Sequence, residues 1–276
     1  MDKTVASAGI SIVESKSTMN AGSHISEVPT SFRIVAQKPK HTATPANDSV
    51  RIVSIEEYKE AALCLADAFA EDDVARYFID VPDREHWSEE ERWNLHVEIL
   101  EYVTYAHCLK GLVTTVGPNY GAVALWMPPG KNMDDYLTMF RSGMWRLYYR
   151  LSPEGKKRFF TEFLPLLHDT KHAVLGEHDD DSWYLVYIGT RPSARGRGYA
   201  RKLIEHVTRK ADRDGKLCYL ESSNAINPTI YRKLGFEERR KVHLQRAEKD
   251  VELDIMVREP VRIENEKGKI KKSTLN

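Results

Sequence analysis

Residues 183–200 read WYLVYIGTRPSARGRGYA, and this stretch decides the fold. Its first half, 183–190, carries apolar side chains at both alternating sets of positions, which is typical of a strand covered on both faces and hence central in its sheet. A loop follows, and then Ala200, Leu203, Ile204, Val207 and Ala211 recur at helical spacing up to Gly215, which is placed to cap the helix. The stretch therefore predicts a strand, a loop and an amphipathic helix in direct succession.

The loop at 195–198, Arg-Gly-Arg-Gly, has the chemistry of an anion site. Glycines permit positive φ and close backbone approach, and a helix N-terminus offers unpaired N–H groups and a partial positive charge. Arg195, Arg197, Arg201 and Lys202 add like charges there, which favours a bound anion. A glycine-rich turn with solvated arginines is the alternative. A P-loop is excluded because no Gly-Lys-Ser/Thr follows, and a dinucleotide fingerprint is disfavoured because its third glycine is missing.

Outward from this stretch, the C-terminal side predicts three more elements. Residues 217–221 have the pattern of a strand. Asn227 is predicted to be the N-cap of a short helix that has Pro228 at its first position and ends at Gly235. Residues 251–258 alternate, with Val251, Leu253, Ile255 and Val257 on one face and Glu252, Asp254, Met256 and Arg258 on the other. This alternation predicts a strand with one solvated face.

The N-terminal side predicts a strand at 50–54, an amphipathic helix at 58–69 and a second helix that begins with a Ser88/Glu91 capping box and ends at Gly111. A hairpin follows, with strands at 112–116 and 122–127. Residues 134–151 are predicted to be helical with Leu137, Phe140, Met144 and Leu147 facing inward, and Ser152 begins another helix.

The composition limits the class of protein. Of 276 residues, 41 are Lys or Arg and 41 are Asp or Glu, so the formal net charge is zero and gives no general attraction to nucleic acid or an anionic membrane. No apolar run has the length of a membrane helix. Three cysteines without C-x-x-C spacing argue against disulfides and structural zinc, which favours a cytoplasmic location. The predicted organisation is a disordered N-terminal tail (1–49), one domain (50–260) and a Lys-rich C-terminal tail (261–276).

Several strings together resemble the GNAT superfamily of acetyl-CoA-dependent N-acetyltransferases. They are WYLVYIGTRP at 183–192, RGRGYA at 195–200, ESSN at 221–224 and NPTIYRKLGF at 227–236. The resemblance is strong from Trp183 to Met256 and weaker back to Val50, and the ending MVREP at 256–260 is similar to the puromycin N-acetyltransferase-like branch. It implies an α/β (α+β) fold with a mixed, mostly antiparallel twisted sheet flanked by helices. A helical insertion is expected before the central strand.

The resemblance also implies a set of site residues. Arg195, Gly196, Arg197, Gly198, Tyr199 and Ala200 match the loop that holds the pyrophosphate of coenzyme A through backbone N–H groups. The strand residues Ile188, Gly189 and Thr190 match those whose backbone pairs with the pantetheine arm. Asn224 matches a cofactor-contacting position, and Tyr231 matches the tyrosine that protonates the leaving thiolate. Ala200 stands where many relatives have glycine, a change that favours the helix.

The acceptor side is less determined by the sequence. Direct transfer needs a neutral amine, so a carboxylate should take its proton, and Glu221 on the strand beside the cleft is the candidate base. Glu71, Asp72 and Asp73 are alternatives for attracting a cationic amine, or are simply solvated loop charges. His168 and His172 have the spacing of a metal pair but lack a third ligand, so no metal is expected. Cys218 is interpreted as a core residue rather than an acyl carrier.

The resemblance predicts acetyl transfer from acetyl-CoA to an amine of a small molecule or of a protein. Both substrates are expected in one ternary complex, with Tyr231 as acid and a carboxylate as base. The alternative is a non-catalytic acyl-CoA-binding protein that uses the same loop. A third interpretation, a nucleic-acid-binding module on the Arg-rich loop, is weakened by the zero net charge and the lack of interleaved aromatics. Neither nucleic acid nor a membrane is an expected partner. Monomer and homodimer both remain open.

Overall fold

A computed structural model of the protein describes residues 48–133 and 135–261. The predicted tails, 1–49 and 261–276, lie outside these residues except at positions 48, 49 and 261. Within the described ranges seven strands form one sheet. The strands are β1 (Arg51–Ile52), β2 (Leu112–Val116), β3 (Ala122–Met127), β4 (Trp183–Thr190), β5 (Cys218–Ser222), β6 (Glu237–Leu244) and β7 (Val251–Arg258).

The strands lie in the order β1-β2-β3-β4-β5-β7-β6, so β4 is the middle strand, as predicted. Every neighbouring pair is antiparallel except β4 and β5, which are parallel. The predicted hairpin is confirmed, with Leu112 opposite Trp126 and Val116 opposite Ala122. The mixed, mostly antiparallel sheet expected from the sequence is therefore confirmed.

Helices cover both faces of the sheet. Their ends follow local signals: the Ser88 side chain accepts a hydrogen bond from the Glu91 N–H, Ser152 accepts one from the Gly155 N–H, and Gly215 has φ 65°. The helices are α1 (Tyr58–Ala68), α2 (Asp73–Ile79), α3 (Glu89–Lys110), α4 (Tyr136–Ser142), α5 (Leu147–Arg150), α6 (Pro153–Lys156), a π-helical segment (Lys157–Phe163), α7 (Leu164–Leu175), α8 (Tyr199–Asp214) and α9 (Asn227–Arg232).

The two faces of β3 show how the core is divided. Val123 and Leu125 pack in a cluster with buried residues of α1 and α3. Ala124 and Trp126, which alternate with them, pack with Leu203, Ile204 and Val207 of α8 on the opposite face. A third cluster lies beside the β5–β7–β6 end of the sheet and includes residues of α2, α3 and the inserted helices. The sheet is therefore buried between two helical layers. No helix in the described ranges is long and apolar enough to span a bilayer.

The predicted helix at 134–151 is wrong in its continuity and in two of its inward residues. Gly143 has φ 79° and ends α4, because this conformation favours glycine and a Cβ there would lie 2.9 Å from the Tyr102 ring. Leu147 is buried as predicted, but Leu137 and Phe140 are 63% and 70% exposed. The helical insertion before β4 is confirmed, as a series of short helices.

The prediction that 251–258 has a solvated face is wrong for β7. Glu252 is exposed, but Asp254, Met256 and Arg258 are buried, because helices α8 and α9 pack on this face of the sheet. The two charged residues are compensated: Arg258 Nη1 and Nη2 donate to the Asp212 carboxylate on α8 at 2.6 and 2.9 Å, and Lys241 Nζ lies 3.1 Å from Asp254. These ion pairs compensate the buried charges of Arg258 and Asp254 for their loss of contact with water.

Candidate active site

The parallel strands β4 and β5 separate partway along their length. They pair from Trp183/Cys218 to Leu185/Leu220, and beyond that point the structure describes no further pairing between them. The register of β4 against β3 shifts at the same place, since Leu125 faces Tyr187 and Trp126 faces Leu185, which leaves Val186 as a bulge. A cleft therefore opens between β4 and β5. Residues 188–190 pair with β3 on one side, and within the described chain no strand pairs with them on the side that faces the cleft.

The Arg-rich loop lies at the end of β4 and leads into α8. Gly196 and Gly198 have φ of 77° and 73°, and a Cβ built at either residue would meet no atom within 4 Å. The N–H of Lys202 donates to the Gly198 carbonyl at 3.2 Å, and among the residues that the structure describes no hydrogen bond reaches the N–H groups of 196–198. Arg195 and Arg197 are exposed. Free N–H groups, open space and cations together fit a diphosphate.

Tyr199 anchors this loop from inside. Its side chain is buried, and its ring lies so close to Gly117 that a Cβ there would be 2.5 Å from it. The Tyr199 hydroxyl donates to the Asp48 carboxylate at 2.9 Å, and Lys202 Nζ lies 3.4 Å from the same carboxylate. Tyr199 therefore offers a ligand only its backbone N–H. Asp48, within the predicted tail, is exposed and contacts α8 through these two side chains.

Tyr231 lies on α9, on the same face of the sheet as α8. Its side chain is 7% exposed, its ring centroid is 5.9 Å from that of Phe236, and it shares a cluster with Tyr199 and Leu220. Burial raises the pKa of Tyr231 above its ordinary value, so the hydroxyl keeps its proton throughout the physiological pH range. Ile188 packs against the same cluster. The structure thus brings Tyr231, the loop and the open half of β4 to one side of the sheet.

The turn before α9 differs from the prediction. Asn227 is the first residue of the helix and Ile226 precedes it at the cap position. Asn224 shapes the turn instead: its side-chain oxygen accepts from the Ile226 N–H at 3.0 Å, and its carbonyl accepts from the Asn227 N–H at 3.0 Å. Asn224 is exposed at the end of β5, where its amide N–H groups are still available to a ligand.

Glu221 lies on β5 and faces away from Tyr231, toward the opposite helical layer, because strand neighbours alternate. Its Oε1 atom is buried with no hydrogen-bond partner in the part of the chain that the structure describes. Burial raises the pKa of Glu221 to about 7, while the neighbouring hydroxyls of Tyr184 and Tyr219 oppose the shift. A carboxyl group with this pKa can accept a proton near neutral pH.

The acidic turn between α1 and α2 is largely occupied by structural contacts. Asp72 caps α2, with Oδ1 accepting from Val74 and Ala75 N–H at 3.0 and 3.1 Å, and Oδ2 accepting from Ser223 Oγ at 2.6 Å. Glu71 pairs with Arg76 at 2.5 Å. Asp73, by contrast, is exposed. The Asp72–Ser223 contact ties this turn to the end of β5, so the turn borders the cleft.

Sequence reasoning assigned no role to Ser223, Tyr184 or Tyr219. The period of two along β5 was a signal for this group, since Tyr219, Glu221 and Ser223 fall on one side of the strand. Tyr184, whose ring centroid is 5.5 Å from that of Tyr219, is on β4, and only the strand pairing brings it there.

Of the two histidines at metal-like spacing, His168 is exposed and His172 contacts an aspartate, while Cys218 lies in the core. His172 Nδ1 lies 3.2 Å from Asp179, and within 48–133 and 135–261 no group of three His, Cys, Asp or Glu side chains is arranged to hold a metal. Cys218 is fully buried, and burial raises the pKa of its thiol to about 12. The thiol is therefore a core group, as interpreted from the sequence.

Comparison with known proteins gives a consistent result. A family model for the acetyltransferase (GNAT) domain matches residues 168–238, which include β4, the Arg-rich loop, α8, β5 and α9. An uncharacterized N-acetyltransferase of Schizosaccharomyces pombe is 46% identical over 208 residues, covering 75% of this chain and 82% of that protein.

Among solved structures, a mosquito arylalkylamine N-acetyltransferase-like protein aligns with a TM-score of 0.50 and 12% identity, covering 76% of this chain and 98% of that chain. This likeness concerns the fold alone. The predicted nearness to the puromycin branch and the cytoplasmic location stay predictions. The split sheet, the family match and the fungal relative agree with the resemblance seen in the sequence, and the chain belongs to the GNAT family of acetyltransferases.

Proposed function

We propose that the protein transfers the acetyl group of acetyl-CoA to an amine, with both substrates bound at the same time. The observation that carries this proposal is the cleft between β4 and β5, which has an anion-binding loop at its β4 end and an ionisable carboxyl group on its β5 side. The name of the S. pombe relative, an N-acetyltransferase, supports nitrogen as the acceptor atom. A small-molecule amine is the proposed acceptor class.

The residues at the β4 end of the cleft fit coenzyme A. The backbone N–H groups of 196–200 would hold the pyrophosphate, and Arg195 and Arg197 would balance its charge. Backbone groups of Ile188, Gly189 and Thr190 would pair with the pantetheine amides as an added strand would. Asn224 would contribute its amide. Acetyl-CoA, when bound, supplies the acetyl group as an activated thioester.

Two residues of this chain move the protons. Glu221 takes a proton from the incoming ammonium group, so that the amine attacks as a neutral nucleophile. As the C–N bond forms and the C–S bond breaks, the Tyr231 hydroxyl gives its proton to the departing sulfur and regains one from the acetylated nitrogen, while Glu221 releases its proton to water. Because the two side chains face opposite sides of the sheet, base and acid reach the cleft from opposite directions. The reaction needs no acyl-enzyme, which agrees with the burial of Cys218.

The test is acetyl transfer measured by product mass over a broad panel of amines, with wild-type protein and Tyr231→Phe. We expect acetylated product from the wild type and a rate reduced by about 10²-fold or more in Tyr231→Phe. The control Tyr136→Phe, which changes an exposed tyrosine, should keep the wild-type rate. Stoichiometric binding of acetyl-CoA without any acetylated product would contradict the proposed enzymatic activity and favour a non-catalytic acyl-CoA-binding protein. Full activity in Tyr231→Phe would remove the role of the tyrosine.

A further inference from the structure

The insertion before β4 carries six large exposed apolar side chains, five of which are aromatic. These side chains, here called the aromatic patch, are Tyr136 (92% exposed), Leu137 (63%), Phe140 (70%), Trp145 (42%), Tyr148 (56%) and Tyr149 (73%). An exposed apolar area of this size on a protein surface generally marks a site of association.

Four of the six side chains form a continuous row of rings, and Tyr136 and Leu137 lie beside Phe140 at i, i+4 and i, i+3 spacing on α4. The rings of Phe140 and Trp145 are stacked with centroids 6.3 Å apart, Trp145 and Tyr149 are 6.1 Å apart, and Tyr148 and Tyr149 are 5.6 Å apart. The inward sides of the same helices are already used, since Thr138 and Leu147 are each 1% exposed. The patch residues therefore cannot turn into the core without unpacking these helices, and they stay available to a partner.

A few cations without an ion pair flank the patch. Arg150 pairs with Glu98 at 2.6 Å and Lys110 pairs with Asp135 at 3.1 Å, whereas Arg141, Arg146 and Lys156 have no ion-pair partner in the described chain. Arg146 lies over the Trp145 ring at 5.5 Å from its centroid, and Lys156 lies over the Tyr148 ring at 4.6 Å. Three basic residues give an anionic lipid surface only about 1 kcal/mol each. Trp, Tyr and Arg are the residues that dominate protein–protein interfaces.

The area of the patch matches what a dimer needs. Its exposed fractions correspond to roughly 800 Å² of accessible surface if each large side chain offers about 200 Å². A stable protein interface buries about 800 Å² on each partner. We propose that the aromatic patch is the interface of a two-fold symmetric homodimer, in which the patches of two chains pack against each other and Arg141 and Arg146 lie at the rim.

The experiment is sedimentation equilibrium of the full chain from about 1 μM to about 100 μM, with the mass of one chain, 31.7 kDa, as reference. The variants are Phe140→Glu and Tyr149→Glu. The control is Ile226→Glu, since Ile226 is 71% exposed but lies outside the patch. Circular dichroism and thermal unfolding check that each variant is folded. Flotation with phosphatidylcholine–phosphatidylserine vesicles is run in parallel.

We expect wild type and Ile226→Glu to reach twice the chain mass, and each patch variant to weaken the dimer about 30-fold or more while remaining folded. Three results would overturn the proposal: a wild type with the mass of one chain at every concentration, a dimer that the patch variants leave unchanged, or vesicle binding by a monomer that the patch variants abolish. The last result would assign the patch to lipid.

Discussion

At the residue scale, Glu221 links activity to pH. Burial raises the pKa of Glu221 from 4.5 to about 7, so the ionised base is the minor form below neutral pH and the main form above it. We therefore expect acetyl transfer to rise with pH through about 7 and to level off above about pH 8, and Glu221→Gln to lower it about 10²-fold or more. The pH–rate profile checks this. A flat profile between about pH 6 and pH 8 would contradict the role of Glu221 as base.

The same raised pKa predicts a stability effect of opposite sign. Because the folded state holds the Glu221 proton more tightly, the stabilisation from this group is complete below about pH 4.5 and is lost as the pH rises through about 7. Glu221→Gln should therefore be more stable than the wild type at about pH 8, by on the order of 1–2 kcal/mol after solvent screening, and equal to it at about pH 4. Urea unfolding at both pH values measures the difference; a less stable variant at about pH 8 would contradict it.

Whether the sequence predicts the contacts of a residue depends on how far along the chain its contact partner lies. Ser88 and Glu91 meet within one helical turn, and their capping box was predicted from spacing alone. Tyr184, by contrast, reaches Glu221 only through the β4–β5 pairing, which no local pattern specifies. The cap of α9 was misassigned because Asn224 and Asn227 are both suited to hydrogen-bond a turn.

At the element scale, α1 packs against β4 with no room for a side chain at Gly189. A Cβ at Gly189 would lie 2.7 Å from the Ala68 Cβ and 3.1 Å from Leu65. We expect Gly189→Ala to separate the helix from the strand and to lower the free energy of unfolding by about 1–3 kcal/mol. Urea unfolding checks this against Ser193→Ala, an exposed change just after β4. Equal free energies of unfolding for the two variants would contradict this, since they would mean that α1 can move away from β4 without loss of stability.

The type of an element was predictable where the hydrophobic period agrees with the turn and capping residues at its ends, as in β4, α8 and the β2–β3 hairpin. The errors about the exposed faces of β7 and α4 have one cause, which is that a pattern gives the faces of an element but not what covers them. The polar face of β7 is covered by neighbours through the Arg258–Asp212 pair. The apolar face of α4 points to solvent because Gly143 redirects the chain.

At the scale of the whole molecule, we propose that 48–261 is the folded unit, with the flanking segments as tails. Asp48 belongs to this unit because it accepts a hydrogen bond from Tyr199. We expect a truncated protein of residues 48–261 to unfold within about 3 °C of the full chain. Differential scanning calorimetry of both proteins checks this. A loss of more than about 10 °C would place part of the tails in the packed structure.

The central claim is that the Arg-rich loop at the start of α8 holds acetyl-CoA, and titration calorimetry tests it most directly. Acetyl-CoA and desulfo-coenzyme A are titrated into wild type, Gly198→Glu and the control Gly215→Glu, which adds the same carboxylate at positive φ at the other end of α8. We predict binding by the wild type and the control, and its loss in folded Gly198→Glu, where the carboxylate fills the anion site. Absence of binding by the wild type, or unchanged binding by Gly198→Glu, would contradict the account.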